Sequence, residues 1–529
     1  MRFNRFASSI AGLAVVSAMV ASAAAEPIPR IERRDDRFML LVDGKPYFVL
    51  AAQLHNSSAW PAMLPEAWRA AEALAPNTIE VPIYWEQFEA QKGRFDTTNV
   101  DALIAKARET GKRLVFLWFG TWKNGQMHYV PEWVKGDPAR YPRTIDERGL
   151  PTDVLSPHSQ ANLDADRSAY TALLAHLKKV DGERHTVIMV QVENEPGAIG
   201  AVRDHGAEAE AAFRATVPAA VTTRLGKAPG DWRTVFGPDA DEAFNAWATA
   251  RYIEQIAAAG KAVYPLPTYV NVWMRYKGFS RPGGDYPSGG ATWNMFDVWR
   301  SVTPSIDFIG TDVYTSDAAE YRKVLGQYAR ADNPSWVSET GFDPKIAPYL
   351  FYVLNHGGIG FSVFGIDDAK GPTTDAAAAA HRVNFALLDP IRDLIARGGF
   401  DHRLQAVVEE PGQARQTIPL ADGWRVDVAF GPPAWGDTPA IVPNSPEQTG
   451  RAFVLAMNDG SFLVSGVDAR LEFKRVSSDG RRGQLMRVEE GRFVDGAWQV
   501  SRWLNGDETD FGLNFGHEPR LLRVRVAPL

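Results

Sequence analysis

From about residue 45 to residue 400, short apolar runs alternate with stretches in which apolar residues recur every three or four positions. The runs lie at 48–55, 78–85, 113–120, 187–195, 267–273, 306–314, 335–341 and 358–366, and each reads as a strand. Val187-Ile188-Met189-Val190 is continuously apolar, which suits a strand covered on both faces. Between the runs, Tyr170, Leu173, Leu174 and Leu177 form a single apolar stripe of helical period. Residues 101–110 read as a helix stopped by Gly111, and 375–399 as a final helix. Strands alternating with helices eight times predict an α/β fold, a (β/α)8 TIM barrel over 26–400. An open doubly wound sheet fits less well, because no Gly-x-Gly-x-x-Gly turn follows the first strand. The stretch 198–260 reads as an insertion after the fourth strand, with helical segments at 207–217 and 241–259.

Past residue 400 the period changes to two. Short alternating runs at 424–430, 453–457, 462–464, 470–476 and 521–526 are split by turn residues, with Asn458-Asp459-Gly460 as a hairpin signal. This predicts a smaller C-terminal β-sandwich domain over 401–529.

Composition narrows the function. The chain has 529 residues, 45% of them apolar, enough for a large barrel and a smaller partner. Residues 1–25 have the pattern of a cleaved signal peptide: Arg2 and Arg5, an apolar stretch, then Ala23-Ala24-Ala25. The expectation is a periplasmic or secreted protein. Removing Arg2 and Arg5 moves the net charge from −7 to −9 (−7 − 2), which offers no basic surface to nucleic acid. No segment is apolar for long enough to predict a membrane span. With no cysteine, the chain has no disulfides and no thiolate nucleophile. Sixteen tryptophans read mostly as core, with a few as platforms for sugar rings.

The chemistry concentrates where strands end, because barrel active sites form at the C-terminal ends of the strands. The polar and aromatic residues there are Gln53 and His55; Tyr84, Trp85 and Glu86; Trp122, Lys123 and Asn124; Asn194 and Glu195; Trp273; Tyr314; Glu339; and Asp367 and Asp368. Glu195 and Glu339 end the fourth and seventh runs, so both can face one pocket. Two carboxyl groups facing a glycosidic bond suffice for its hydrolysis. Glu195 is expected to be the proton donor and Glu339 the nucleophile, with Tyr314 hydrogen-bonded to Glu339 and Asn194 placed for a sugar hydroxyl. Glu193, two residues deeper, reads as half of a structural pair. His55 reads equally as a sugar contact or a structural histidine. Neither a cofactor nor a metal is expected, since there is no His-Glu-x-x-His and adjacent aspartates point opposite ways on a strand.

Gln191-Val192-Glu193-Asn194-Glu195 resembles the strand-four signature of glycoside hydrolase family 35, the retaining β-galactosidases. Asn77-Thr78-Ile79, Tyr84-Trp85, Glu89 and Gly93-Arg94-Phe95-Asp96 resemble its second-strand region, and Pro131-Glu132-Trp133 its Leu-Pro-x-Trp. Ser338-Glu339 fits its nucleophile strand. The resemblance spans about 35–400 and implies an exo-acting retaining β-galactosidase of a divergent bacterial branch. Such enzymes trim galactose from oligosaccharides or polysaccharide side chains such as those of xyloglucan. It also implies that Tyr84, Lys123 and Asn124 lie nearest the positions used to hold galactose. The chain departs from the family at Pro196, Glu86, Phe88 and Trp122-Lys123-Asn124-Gly125. Another glycosidase of the same clan, an endo-glucanase, a mannanase or a family 42-like galactosidase, stays open. So does a carbohydrate-binding protein on an inactive barrel.

Overall fold

The computed structural model describes residues 26–367, 372–431, 448–476 and 481–529. The expected signal peptide at 1–25 and Asp368 lie outside the described residues.

The eight expected strands form one parallel barrel: β1 (Val49–Gln53), β2 (Thr78–Tyr84), β3 (Arg113–Lys123), β4 (Val187–Asn194), β5 (Thr268–Val270), β6, β7 (Trp336–Thr340) and β8 (Gly360–Phe364). β6 comes in two pieces. Phe308–Ile309 pairs with β5 and Thr311–Val313 pairs with β7, so the ring closes across Gly310. A Cβ at Gly310 would lie 2.5 Å from Ser338 Oγ and 2.8 Å from Trp336, so only glycine fits this seam. β1, β2 and β4 are buried along their whole length, as continuous apolar runs between a packed interior and a helical coat should be.

Two irregularities aim side chains. On β7, Val337 faces Thr311 but Glu339 faces Asp312, so Ser338 is an extra residue and the strand bulges there. A bulge re-aims the side chains that follow it. On β4, Glu193 (φ 66°) and Glu195 (φ 44°) both adopt the left-handed backbone region, unusual for side chains of their size.

The helix carrying Tyr170, Leu173, Leu174 and Leu177 runs over Gln160–Asp181 with all four buried, and Ser159 Oγ caps it by accepting from Asn162 N at 3.3 Å. The helix stopped by Gly111 spans Thr98–Thr110, with Gly111 at φ 67°. The expected final helix is two, Pro372–Leu388 and Arg392–Phe400, parted at Pro390, which cannot continue a helix. One assignment changes. The segment 241–259 belongs to Ala240–Val263, which packs on Gln160–Asp181 and on β4 as the barrel's own fourth helix. The excursion is therefore 198–239, with the short helices Ala207–Phe213, Ala219–Leu225 and Trp232–Phe236.

Beyond Phe400 the described residues form two antiparallel sheets, of six and four strands. Val426, Val428, Leu471 and Phe515 of the four-stranded sheet pack against Val454, Val464, Leu522 and Val524 of the other, a β-sandwich. The Asn-Asp-Gly hairpin joins Arg451–Ala456 to Phe462–Val467. The opposite face of the six-stranded sheet, through Phe453, Leu455, Leu463 and Leu521, shares the barrel's core. Arg451 crosses this junction, its Nε donating to Asn384 Oδ1 at 2.7 Å.

Candidate active site

A cavity of ≈380 Å³ opens at the C-terminal ends of the strands. Glu195, Asp312 and Glu339 supply carboxyl groups to it, and His55, Lys123 and Asn124 are among its other walls. Its apolar wall comes from Trp273, Met274 and Phe279 after β5 and from Phe364 at the end of β8. Glu195 is 7% and Glu339 5% exposed, so both act in a largely dry setting.

The two glutamates are held differently. Glu339 accepts from Gln53 Nε2 at 2.7 Å on one oxygen and from the Tyr314 hydroxyl on the other. Glu195 has its backbone N–H bound to Asn271 Oδ1 (2.7 Å), and its carbonyl accepts from Gly125 N (3.0 Å). Those bonds pin the unusual backbone of Glu195 against its strain. Burial, and then the charge of Glu339, push the Glu195 carboxyl up to about 7; Lys123 and a hydrogen bond from Asp312 pull the other way. Glu339 is thus held between two donors, while Glu195 is poised to carry a proton near neutrality.

The other expected residues divide. Tyr314 bonds Glu339 as expected; its ring is half-exposed along the cavity while its hydroxyl is buried. Lys123 and Asn124 line the cavity. Lys123 Nζ donates to Asn194 Oδ1 at 3.0 Å, so Asn194 sits behind it, fully buried, with no partner for its Nδ2 among the described residues. Asn124 Oδ1 is likewise buried without a partner among the described residues. His55 lines the cavity, packs on Phe364 with ring centres 5.4 Å apart, and its backbone N–H is held by Asp367 at 2.9 Å. Tyr84 does not reach the cavity. It stacks between Trp60 and Tyr129, and its hydroxyl accepts from Ala59 N at 3.0 Å. Glu193 is the expected structural half-pair: fully buried, it accepts from Trp122 N at 2.7 Å and is hydrogen-bonded to Asp166.

Sequence reasoning missed Asp312 and Asn271 and gave Gln53 no role. The signal for Asp312 was available: a carboxylate inside an otherwise apolar strand, two residues before Tyr314. Asn271 directly follows β5 and bridges two elements. Its Oδ1 takes the Glu195 N–H and its Nδ2 donates to Asp312 Oδ2 at 2.7 Å.

Residues 381–516 match the model of a domain of unknown function, DUF5597. Over 194 residues, 35% of its length, the chain is 30% identical to a β-galactosidase of Xanthomonas manihotis, covering 30% of that protein. The chain thus matches under a third of that relative's length. Among solved structures, a β-galactosidase from Bacillus circulans sp. alkalophilus has TM-score 0.48 at 10% identity, covering 90% of this chain and 99% of its own. One from the haloarchaeon Halorubrum lacusprofundi has TM-score 0.46 at 15% identity, covering 64% and 58%.

Proposed function

We propose that this chain is an exported, retaining glycoside hydrolase that removes terminal β-galactosyl units from oligosaccharides or polysaccharide side chains. The observation that carries the reading is the unequal support of two carboxyl groups in one cavity: Glu339 braced by Gln53 and Tyr314, Glu195 raised to about 7. In the first step the Glu339 carboxylate attacks the anomeric carbon while Glu195 gives its proton to the departing oxygen. In the second, Glu195 takes a proton from water, which displaces Glu339 and frees the sugar. Lys123 and Asn124 offer polar groups to sugar hydroxyls, and Asn124 Oδ1 is a buried acceptor awaiting a donor.

A cavity of ≈380 Å³ is at the small end of small-molecule sites, about 300–1,000 Å³, which favours a terminal sugar over a threaded chain. Galactose is favoured by the motifs around Glu195 and by the matching stretch of the Xanthomonas manihotis enzyme. Export is favoured by the pattern of residues 1–25. A panel of nitrophenyl β-glycosides, with the anomer of the first product read by NMR, tests the proposal. Retained configuration and a preference for galactoside are expected. Inverted product overturns the mechanism, and no turnover of any glycoside overturns the activity.

A further inference from the structure

β3 and β5 flank β4 in the barrel, so the chain after each forms a wall beside Glu195. The oxygen that takes the Glu195 proton must lie at that carboxyl, so whatever it carries is delivered to the same side of the cavity. The chain after β3 offers polar groups there, Lys123 and Asn124. The chain after β5 offers an apolar surface, Trp273, Met274 and Phe279, and the two steps above give it no task. That chain is tied to the acid in two places. Asn271 Oδ1 accepts from Glu195 N at 2.7 Å, and Ser288 exchanges two backbone bonds, of 2.8 and 2.9 Å, with Ala198 just past Glu195. Between them the Tyr276 hydroxyl is spent on the frame: it accepts from Tyr314 N at 2.7 Å and donates to Asp312 O at 3.3 Å. A second indole adjoins this wall. Trp293 Nε1 donates to Arg275 O at 3.3 Å, between the cavity residues Met274 and Tyr276. The Arg275 guanidinium lies over the Trp293 ring, 5.4 Å from its centre. Held from both directions, Trp293 is still 44% exposed. A lone exposed indole means little, but this one abuts the apolar wall of a cavity.

We propose that Trp273 and Trp293 form the leaving-group subsite, as two flat platforms: Trp273, in the cavity wall, for the sugar ring bonded to the leaving oxygen, and Trp293, beside it, for the next ring out. The substrate class is then a terminal galactosyl unit on a stub of at least two further sugars. The inference rests on Glu195 being the proton donor of the proposed reaction. A pyranose ring carries a face of C–H groups that packs on an indole while its hydroxyls stay in water. Both tryptophans act as specificity residues. They bind parts of the substrate remote from the reacting carbon, and that binding energy holds the glycosidic oxygen at Glu195.

The test measures kcat/KM on methyl β-galactoside, a galactosyl disaccharide and a galactosyl trisaccharide, in the linkage that the wild type cleaves fastest. Each variant is compared with the wild type on the same substrate, which cancels the intrinsic difference between leaving groups. W273A is expected to lose about tenfold more on the disaccharide than on the methyl galactoside, the scale of one ring stacked on an aromatic side chain. W293A is expected to lose about tenfold more on the trisaccharide than on the disaccharide. W273F keeps a flat ring and should recover part of the W273A loss, which separates a platform from a support of the fold. Equal W273A losses on all three substrates, or a W293A loss that ignores the third sugar, overturn the inference. Saturation-transfer NMR with free cellobiose, a leaving fragment without galactose, reads the platforms with no turnover. Transfer is expected in the wild type and weaker in both alanine variants; transfer unchanged by W273A overturns the inference. If the wild type cleaves no glycoside, the functional reading falls while the cellobiose spectra still decide the subsite.

Discussion

Replacing Glu193 by glutamine should make the protein more stable than the wild type by an amount that grows with pH. Glu193 and Asp166 are both fully buried and hydrogen-bonded to each other. Asp166 accepts from Trp118 Nε1 (2.9 Å), Thr121 N (3.1 Å) and Thr121 Oγ (2.6 Å), while Glu193 accepts from Trp122 N. Burial raises Glu193 well above its ordinary 4.5, and the Asp166 charge raises it further, so the folded pair retains a proton. Unfolded, Glu193 releases that proton as the pH passes 4.5. Stability therefore falls as pH rises from there toward the folded value, by about 1.4 kcal/mol per pH unit. Glutamine accepts from Trp122 N and donates to Asp166 with no proton to lose, so E193Q escapes this slope. Urea unfolding of both proteins at a series of pH values above 4.5 measures it, with the stability gap widening by up to about 1.4 kcal/mol per pH unit until the folded value is reached. The result holds whichever carboxyl carries the proton. A gap independent of pH refutes the reasoning, because it would mean that the pair is fully ionised in the fold.

Glu195→Ala should cut activity most on poor leaving groups, while Glu339→Ala should abolish it on good and poor alike; rates on nitrophenyl and alkyl galactosides decide this. With Glu195 at about 7, kcat/KM should halve near that pH and then fall about tenfold per unit above it, because the protonated acid is lost as pH rises; a profile flat to well above neutrality contradicts this role. Terminal β-galactosides should be preferred over β-glucosides by about a hundredfold, the scale of an unpaired buried polar group. Asn124→Gly should erode that preference in competition assays; glycine suits the test better than alanine because Asn124 sits at φ 55°.

The parts of the site legible in the sequence are those set by strand ends. Glu195, Glu339 and Tyr314 each close an apolar run, and strand polarity alone brings them to one end of the barrel. Asp312 and Asn271 escaped for different reasons. Asp312 is a strand residue whose polarity makes sense only once the Ser338 bulge brings Glu339 opposite it, and one extra residue in a strand leaves no trace in the hydrophobic pattern. Asn271 follows a strand of only three residues, and which atoms it bridges depends on tertiary approach. Tyr84 misled because it ends β2 as the reading required, yet its hydroxyl is taken by Ala59 N. The helix Ala240–Val263 was read as part of an insertion because it shows no single apolar face. Fourteen of its 24 residues are buried, since helices contact it on more than one side.

The glycine break in β6 ties the closure of the barrel to the setting of the cavity. Gly310 packs against Ser338, and Ser338 is also the donor that grips Asp312 behind Glu195. One side chain, Ser338, thus lies both against the seam of the ring and on the Asp312 carboxyl group in the cavity. A barrel whose seam has parted, transiently or for want of a glycine, loses Ser338 from Asp312 in the same motion. Closing the ring of strands and setting one wall of the cavity are therefore a single packing event, made by one serine.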